Sequence, residues 1–204
     1  MAPDLTPLER AAERVGLKGL CARVVPPDAR RGTWFRWDVG AGELQVSERV
    51  LDRCVPDDAS ALLINEVLFA RRMENVKRWA LRSGEIPAAL VAVAVALSVG
   101  AGGALRAVGI GLAILMPLVV VMVWLGARAR ASIEADDETV RLLGDAEPLV
   151  RGLNCMNQDE VVIGRFRSAA RPDLHKRAER LVAMHGLCAA PAAPAPPAGN
   201  RDRG

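Results

Sequence analysis

Pro56-Asp57-Asp58-Ala59-Ser60-Ala61-Leu62-Leu63-Ile64-Asn65-Glu66-Val67-Leu68-Phe69 is the stretch on which the reading of this chain turns. Proline at the head of a helix gives up only an N–H that would have no partner there. Asp57 and Asp58 then sit at the positive end of the helix dipole. These signals predict a long helix running to about Arg82, with Asn65 and Glu66 on it. Positions 65 and 69, four residues apart, come round to the same face one turn on.

Following the chain outward, Ile86 to Ala127 holds 42 residues with one charge, Arg106. A single helix of that length would reach about 63 Å, roughly twice a hydrocarbon core of ~30 Å. The break Gly100-Ala101-Gly102-Gly103 suits a hairpin instead, and the sequence predicts two transmembrane spans, about 86–104 and 107–127. Arg71, Arg72, Lys77, Arg78 and Arg82 precede the first span, and Arg128 and Arg130 follow the second. By the positive-inside rule both flanks and both termini are expected on the cytoplasmic side of a bacterial inner membrane, with the lipid bilayer as a partner. The competing reading is a helical hairpin buried in a water-soluble core, for which the rest of the chain offers little covering material.

Before the long helix, Thr6-Pro7-Leu8-Glu9 reads as a capping box opening a short helix that ends near Gly16. Residues 18–25 read as a strand. Thr33 to Val39 and Glu43 to Val46, joined by Gly40-Ala41-Gly42, read as a β-hairpin. Thr33-Trp34-Phe35-Arg36-Trp37 fits a strand with one face on the core, and also a membrane-surface segment. Ser47 is expected to cap a short helix through Cys54. Further helices are expected from Arg128 to Leu143, from Ala146 to Cys155, and from Pro172 to Gly186. Residues 189–204 are rich in Ala, Pro and Gly and read as a disordered tail.

With 204 residues, the chain has room for one domain plus appendages. Its net charge of +3 is too small to argue for a nucleic-acid partner. The cysteines, Cys21, Cys54, Cys155 and Cys188, form no C-x-x-C pair, so neither a zinc ribbon nor a redox motif is indicated. No secretory signal is legible at the start, which argues against a disulfide framework. The only histidines are His175 and His185.

Four local matches, taken in order, resemble the HtpX-like membrane zinc metallopeptidases, the family that includes the CAAX prenyl proteases. Glu43 to Leu51 looks like the strand and short helix before the active-site helix. Val55 to Glu66 is similar to that helix's acidic start followed by His-Glu-x-x-His. Glu134-Ala135-Asp136 resembles the end of a Glu-x-x-Ala-Asp motif. Leu174 to Leu181 resembles the closing His-Pro-x-x-x-x-Arg segment, with Arg177 at the arginine. The match covers about residues 40–182. It implies a fold that is α+β and mainly helical: a zincin-like core with a small β-hairpin or sheet and an inserted two-helix transmembrane hairpin. The implied division is 1–85 and 128–188 as the two halves of the peptidase-like domain, 86–127 as the hairpin, and 189–204 as the tail.

Set against the family pattern, Asn65 and Phe69 stand where the two histidine ligands belong, and Ser132 where the third ligand, a glutamate, belongs. Glu66 keeps the general-base position, and Asp136 the acid that orients a ligand histidine. Catalytic zinc needs three protein ligands and one open position. Without a metal, water keeps a pKa of about 15.7 rather than ~7, which Glu66 alone cannot bridge. The expectation is therefore no cofactor (zinc being that of active relatives) and a catalytically inactive pseudopeptidase acting through a peptide or protein partner. Two alternatives stay open. One is an active membrane metalloendopeptidase with Glu66, Glu134 and Asp136 as ligands to a harder ion. The other is a structural membrane hairpin. Glu66 also has a plainer reading, either solvated or paired with Arg71 or Arg72. Cys54, Cys155, His175 and His185 match no known metal-ligand spacing. No G-x-S-x-G elbow accompanies Ser47, Ser60 or Ser132.

Overall fold

The computed structural model describes residues 3–26, 34–83, 103–163 and 173–187. In chain order these form α1 (Thr6–Arg14), β1 (Cys21–Val25), β2 (Phe35–Asp38), β3 (Glu43–Ser47), α2 (Glu48–Arg53), α3 (Pro56–Ser83), α4 (Ala104–Leu143), α5 (Glu147–Ile163) and α6 (Leu174–His185). The architecture is α+β and mostly helical, with one small three-stranded sheet.

Pro7 lies in the first turn of α1, but the expected capping box does not close. Thr6 donates its N–H to Asp4 Oδ1 at 3.0 Å, and the Glu9 carboxylate instead accepts the Ala22 N–H at 2.8 Å. Glu9 therefore ties α1 to β1. The expected hairpin is present: β2 pairs antiparallel with β3, placing Phe35 opposite Val46 and Asp38 opposite Glu43. Asp38 Oδ1 accepts the N–H groups of Gly40 and Ala41, and Gly42 completes the turn at φ +65°. Phe35 is buried, Arg36 exposed and Trp37 half-buried, the alternation of a strand with one face on the core. β1 lies on the other edge of β3 and runs parallel to it, from Cys21 opposite Glu43 to Val25 opposite Ser47. Ser47 makes no side-chain cap at α2, and its N–H goes to the Trp34 carbonyl at 2.9 Å.

The helix α3, 28 residues long, starts and ends close to where the sequence indicates. It packs on α1, α4 and α5, and α5 packs in turn on α6. The core at these contacts includes Leu8, Leu62, Leu63, Leu149, Leu153 and Leu181, all essentially buried. At Gly152 the backbones of α3 and α5 approach so closely that an added Cβ would lie 2.8 Å from Leu62 Cγ and 3.1 Å from the Asp58 carbonyl oxygen. Beside this contact Arg151 Nη2 pairs with Asp58 Oδ1 at 3.0 Å. Burial pushes the Asp58 carboxyl above its ordinary range, and the Arg151 guanidinium works against that shift.

Two expectations need correction here. The segments 107–127 and 128–143 are not separate helices but parts of α4, a 40-residue helix that ends at Gly144 in the left-handed conformation. Its apolar first half continues without a break into a half bearing Arg128, Arg130, Glu134, Asp136, Asp137, Glu138 and Arg141. The expected first span, 86–104, lies almost wholly outside the described residues, as do the tail at 189–204 and Pro172. Among the described residues no helix is long and apolar enough to cross a membrane. That finding overturns the expected transmembrane hairpin and the integral membrane placement with cytoplasmic termini. Large apolar side chains of α4, among them Leu118, Val121 and Met122, stand exposed. α5, expected to end at Cys155, runs on to Ile163.

Candidate functional site: a buried polar cluster between three helices

Asn65 is the buried polar residue of the Ala61–Phe69 stretch of α3, and it is 2% exposed. α4 brings Ser132, Asp136 and Thr139 to one face, spaced four and then three residues apart, and all three are fully buried. α6 buries Leu174, Arg177, Ala178 and Leu181, an i, i+3, i+4, i+7 stripe with an arginine in its middle. Asp173 starts that helix by accepting the His175 N–H at 3.0 Å. Each helix thus carries a polar group on its core face, and the three faces meet.

Their hydrogen bonds are reciprocal. Asn65 Nδ2 donates to Asp136 Oδ1 at 2.8 Å and, at a longer 3.4 Å, to Thr139 Oγ1. Arg177 Nε donates to Asp136 Oδ2 at 3.1 Å, and Arg177 Nη2 donates to Asp136 Oδ1 at 2.5 Å and to Asn65 Oδ1 at 2.8 Å. Thr139 Oγ1 donates its own hydrogen bond to the Ala135 carbonyl at 2.7 Å. The guanidinium fork matches the two carboxylate oxygens, the geometry in which an arginine pair is strongest. Arg177 is 2% exposed and Asp136 0%, so neither charge has water to fall back on. The cluster is neutral as a unit, which is the condition for keeping charges at this depth.

The same antiparallel register carries α3 and α4 past each other beyond the cluster. One turn along each helix from the Asn65–Asp136 bond come Phe69 and Ser132, and both are buried. Arg72 pairs with Glu134 and, at 2.5 Å, with Glu138. The Arg128 guanidinium stands 5.9 Å from the Phe69 ring and 5.3 Å from the Trp124 ring. Asn65, Phe69, Ser132 and Asp136, singled out from sequence, therefore belong to one short length of the α3–α4 seam. Glu66 is half-buried on the neighbouring face of α3.

These residues do not fit a zinc ion. Phe69 has no lone pair, Asn65 has its amide oxygen on Arg177, and both Asp136 oxygens receive guanidinium protons. Among the described residues Ser132 Oγ is buried without a hydrogen-bond partner, and a neutral hydroxyl alone is no substitute for three ligands. The alternative carboxylate site also fails to assemble. Glu134 is exposed and faces Arg72, while Asp136 faces Arg177. Among the described residues no group of three His, Cys, Asp or Glu side chains could hold a metal.

Two members of the cluster carried no site role in the sequence reading. Arg177 was legible only as a motif position, although a lone arginine in an apolar helical stripe signals a buried acidic partner. Thr139 lies one turn beyond Asp136, and nothing in the local sequence marks it as more than a helix residue. Beyond Ser132 the seam opens into a cleft of about 630 Å³, lined by the apolar Val76, Val123 and Ala127 and the charged Arg72, Arg130 and Glu134. No protein-family model, curated protein or solved structure matches this chain.

Proposed function

We propose that this chain is a non-catalytic protein on a zincin-like, metallopeptidase-related core, and that it acts by binding a peptide or protein segment in the cleft between α3 and α4. One observation carries the reading. The positions that resemble a metal centre lie on one seam, and a guanidinium, Arg177, supplies the positive charge there. A cation fixed by the fold satisfies Asp136 permanently, so the core keeps its charge balance with no ion to bind or lose. It cannot polarise a carbonyl and activate a water as an open metal site does. The adjoining cleft is lined by apolar side chains and by charges of both signs, features suited to an extended polypeptide.

The experiment has two arms. Purified chain is incubated with zinc, dialysed and measured by elemental analysis, alongside a casein-cleavage assay. No retained zinc and no cleavage are expected. One zinc per chain, lost on Asp136→Ala, would overturn the non-catalytic reading. In the second arm a random peptide library is selected on the chain and on Ala127→Trp, which fills the cleft. Selected peptides are expected to lose binding to the variant. Equal binding to both would remove the cleft as the docking site.

A further inference from the structure

We propose that Cys54 and Cys155 form a thiol–disulfide switch that staples α5 to the junction of α2 and α3. Both are free thiols; Cys54 is buried and Cys155 half-exposed. Three contacts hold the segments that carry them against each other. Arg151 on α5 holds Asp58 on the first turn of α3 at 3.0 Å. Gly152 lets α5 press against the Asp58 carbonyl, where even a Cβ would stand at 3.1 Å. α2, which ends beside Cys54, also touches α5. Cys54 precedes Asp58 by one helical turn's worth of chain, and Cys155 follows Gly152 by about one turn, so both thiols flank the same contact. Among the groups close enough to act on the Cys54 thiol are Cys155, Asp58 and Arg53.

The two thiols have unequal roles. Burial first, then Cys155 and Asp58, push the Cys54 thiol up to about 12, so it is a poor initial attacker. Cys155, the accessible partner, reacts first with a low-molecular-weight disulfide of the glutathione class. Its thiolate attacks one sulfur of RSSR, forming Cys155–S–S–R and releasing RS⁻, which takes up the proton Cys155 gave up. Cys54 then loses its proton and attacks the Cys155 sulfur, forming Cys54–S–S–Cys155 and expelling the second RS⁻, which is protonated in turn. Two thiols are oxidised and one RSSR is reduced to two RSH. The bond would close a loop of about 100 residues and raise the thermal midpoint by roughly 10 °C.

The test uses the full chain with Cys21→Ser and Cys188→Ser, incubated folded with oxidised glutathione, acid-quenched, unfolded and alkylated. The expected result is loss of both alkylatable thiols with no added glutathione mass, reversal by dithiothreitol, and the higher midpoint. The further variant Cys54→Ser is expected to stop at a Cys155–glutathione adduct, which shows the order of steps without requiring the disulfide. A persistent adduct with Cys54 present, or two alkylated thiols after incubation, would overturn the switch.

Discussion

Replacing Arg177 by methionine is expected to lower the unfolding free energy by about 3 kcal/mol, the lower end of the range for breaking a buried ion pair. The loss comes from Asp136, which stays buried while losing the fork that held both oxygens. Asn65 and Thr139 remain near it but bring no charge. Arg180, whose Nη1 lies 3.9 Å from Asp136 Oδ2 and whose side chain is partly exposed, can turn further in, and this keeps the loss at the low end. Changing both partners, Asp136→Leu with Arg177→Met, should recover most of the loss, because an apolar pair of similar volume carries no desolvation cost. Urea unfolding of the parent, the two single variants and the double variant provides the check. A single-variant loss under about 1 kcal/mol, typical of an exposed pair, would mean the two charges are not buried together.

Leu62→Ala is expected to cost about 2–5 kcal/mol, the range for emptying a packed leucine site. Leu62 is 1% exposed and stands against Gly152, where α3 and α5 are closest. Gly152→Ala alone should destabilise by about 1–3 kcal/mol through overpacking, offset in part by the ~1 kcal/mol that alanine gains over glycine in a helix. The Asp58 carbonyl is backbone and cannot swing aside, and Leu62 Cγ is not the free end of a flexible chain. The two changes act on the same space, so the double variant should lose less than the sum by about 0.5 kcal/mol or more. Additive losses in guanidinium unfolding would show that the helices do not meet at these residues.

Much of the fold could be read locally. Pro56-Asp57-Asp58 marked the start of α3, and Gly40-Ala41-Gly42 marked the β2–β3 turn, because turn and cap chemistry resides in adjacent residues. The parallel pairing of β1 with β3 could not be read this way. It rests on distant contacts such as Glu9 to Ala22, which took the carboxylate expected to close the α1 cap. α4 was divided at Ala127–Arg128 because its composition changes from apolar to charged there. Backbone hydrogen bonding is indifferent to that change, and Ala, Arg and Glu all sustain a helix. At the site, helical spacing puts Asn65 and Phe69 on one face of α3, whereas Ser132 and Asp136 are marked only by the resemblance to the metallopeptidase pattern. That Asp136 would be claimed by Arg177, more than forty positions on, depends on how α6 docks, which neither local pattern encodes.

Positions 65, 69 and 132 lie buried along one short length of the α3–α4 seam, beside Asp136. Reinstating ligands there tests this most directly, with Asn65→His, Phe69→His and Ser132→Glu combined in one chain. Asp136, now 2.8 Å from the residue-65 amide nitrogen, would then orient the new histidine. Zinc titration followed by calorimetry is expected to give one zinc per variant chain at micromolar affinity or tighter and none for the parent. If the triple variant unfolds, the two-histidine variant is expected to bind zinc more weakly but still above the parent. A folded variant that binds no more zinc than the parent would contradict the account, because three ligands on one centre should hold that ion.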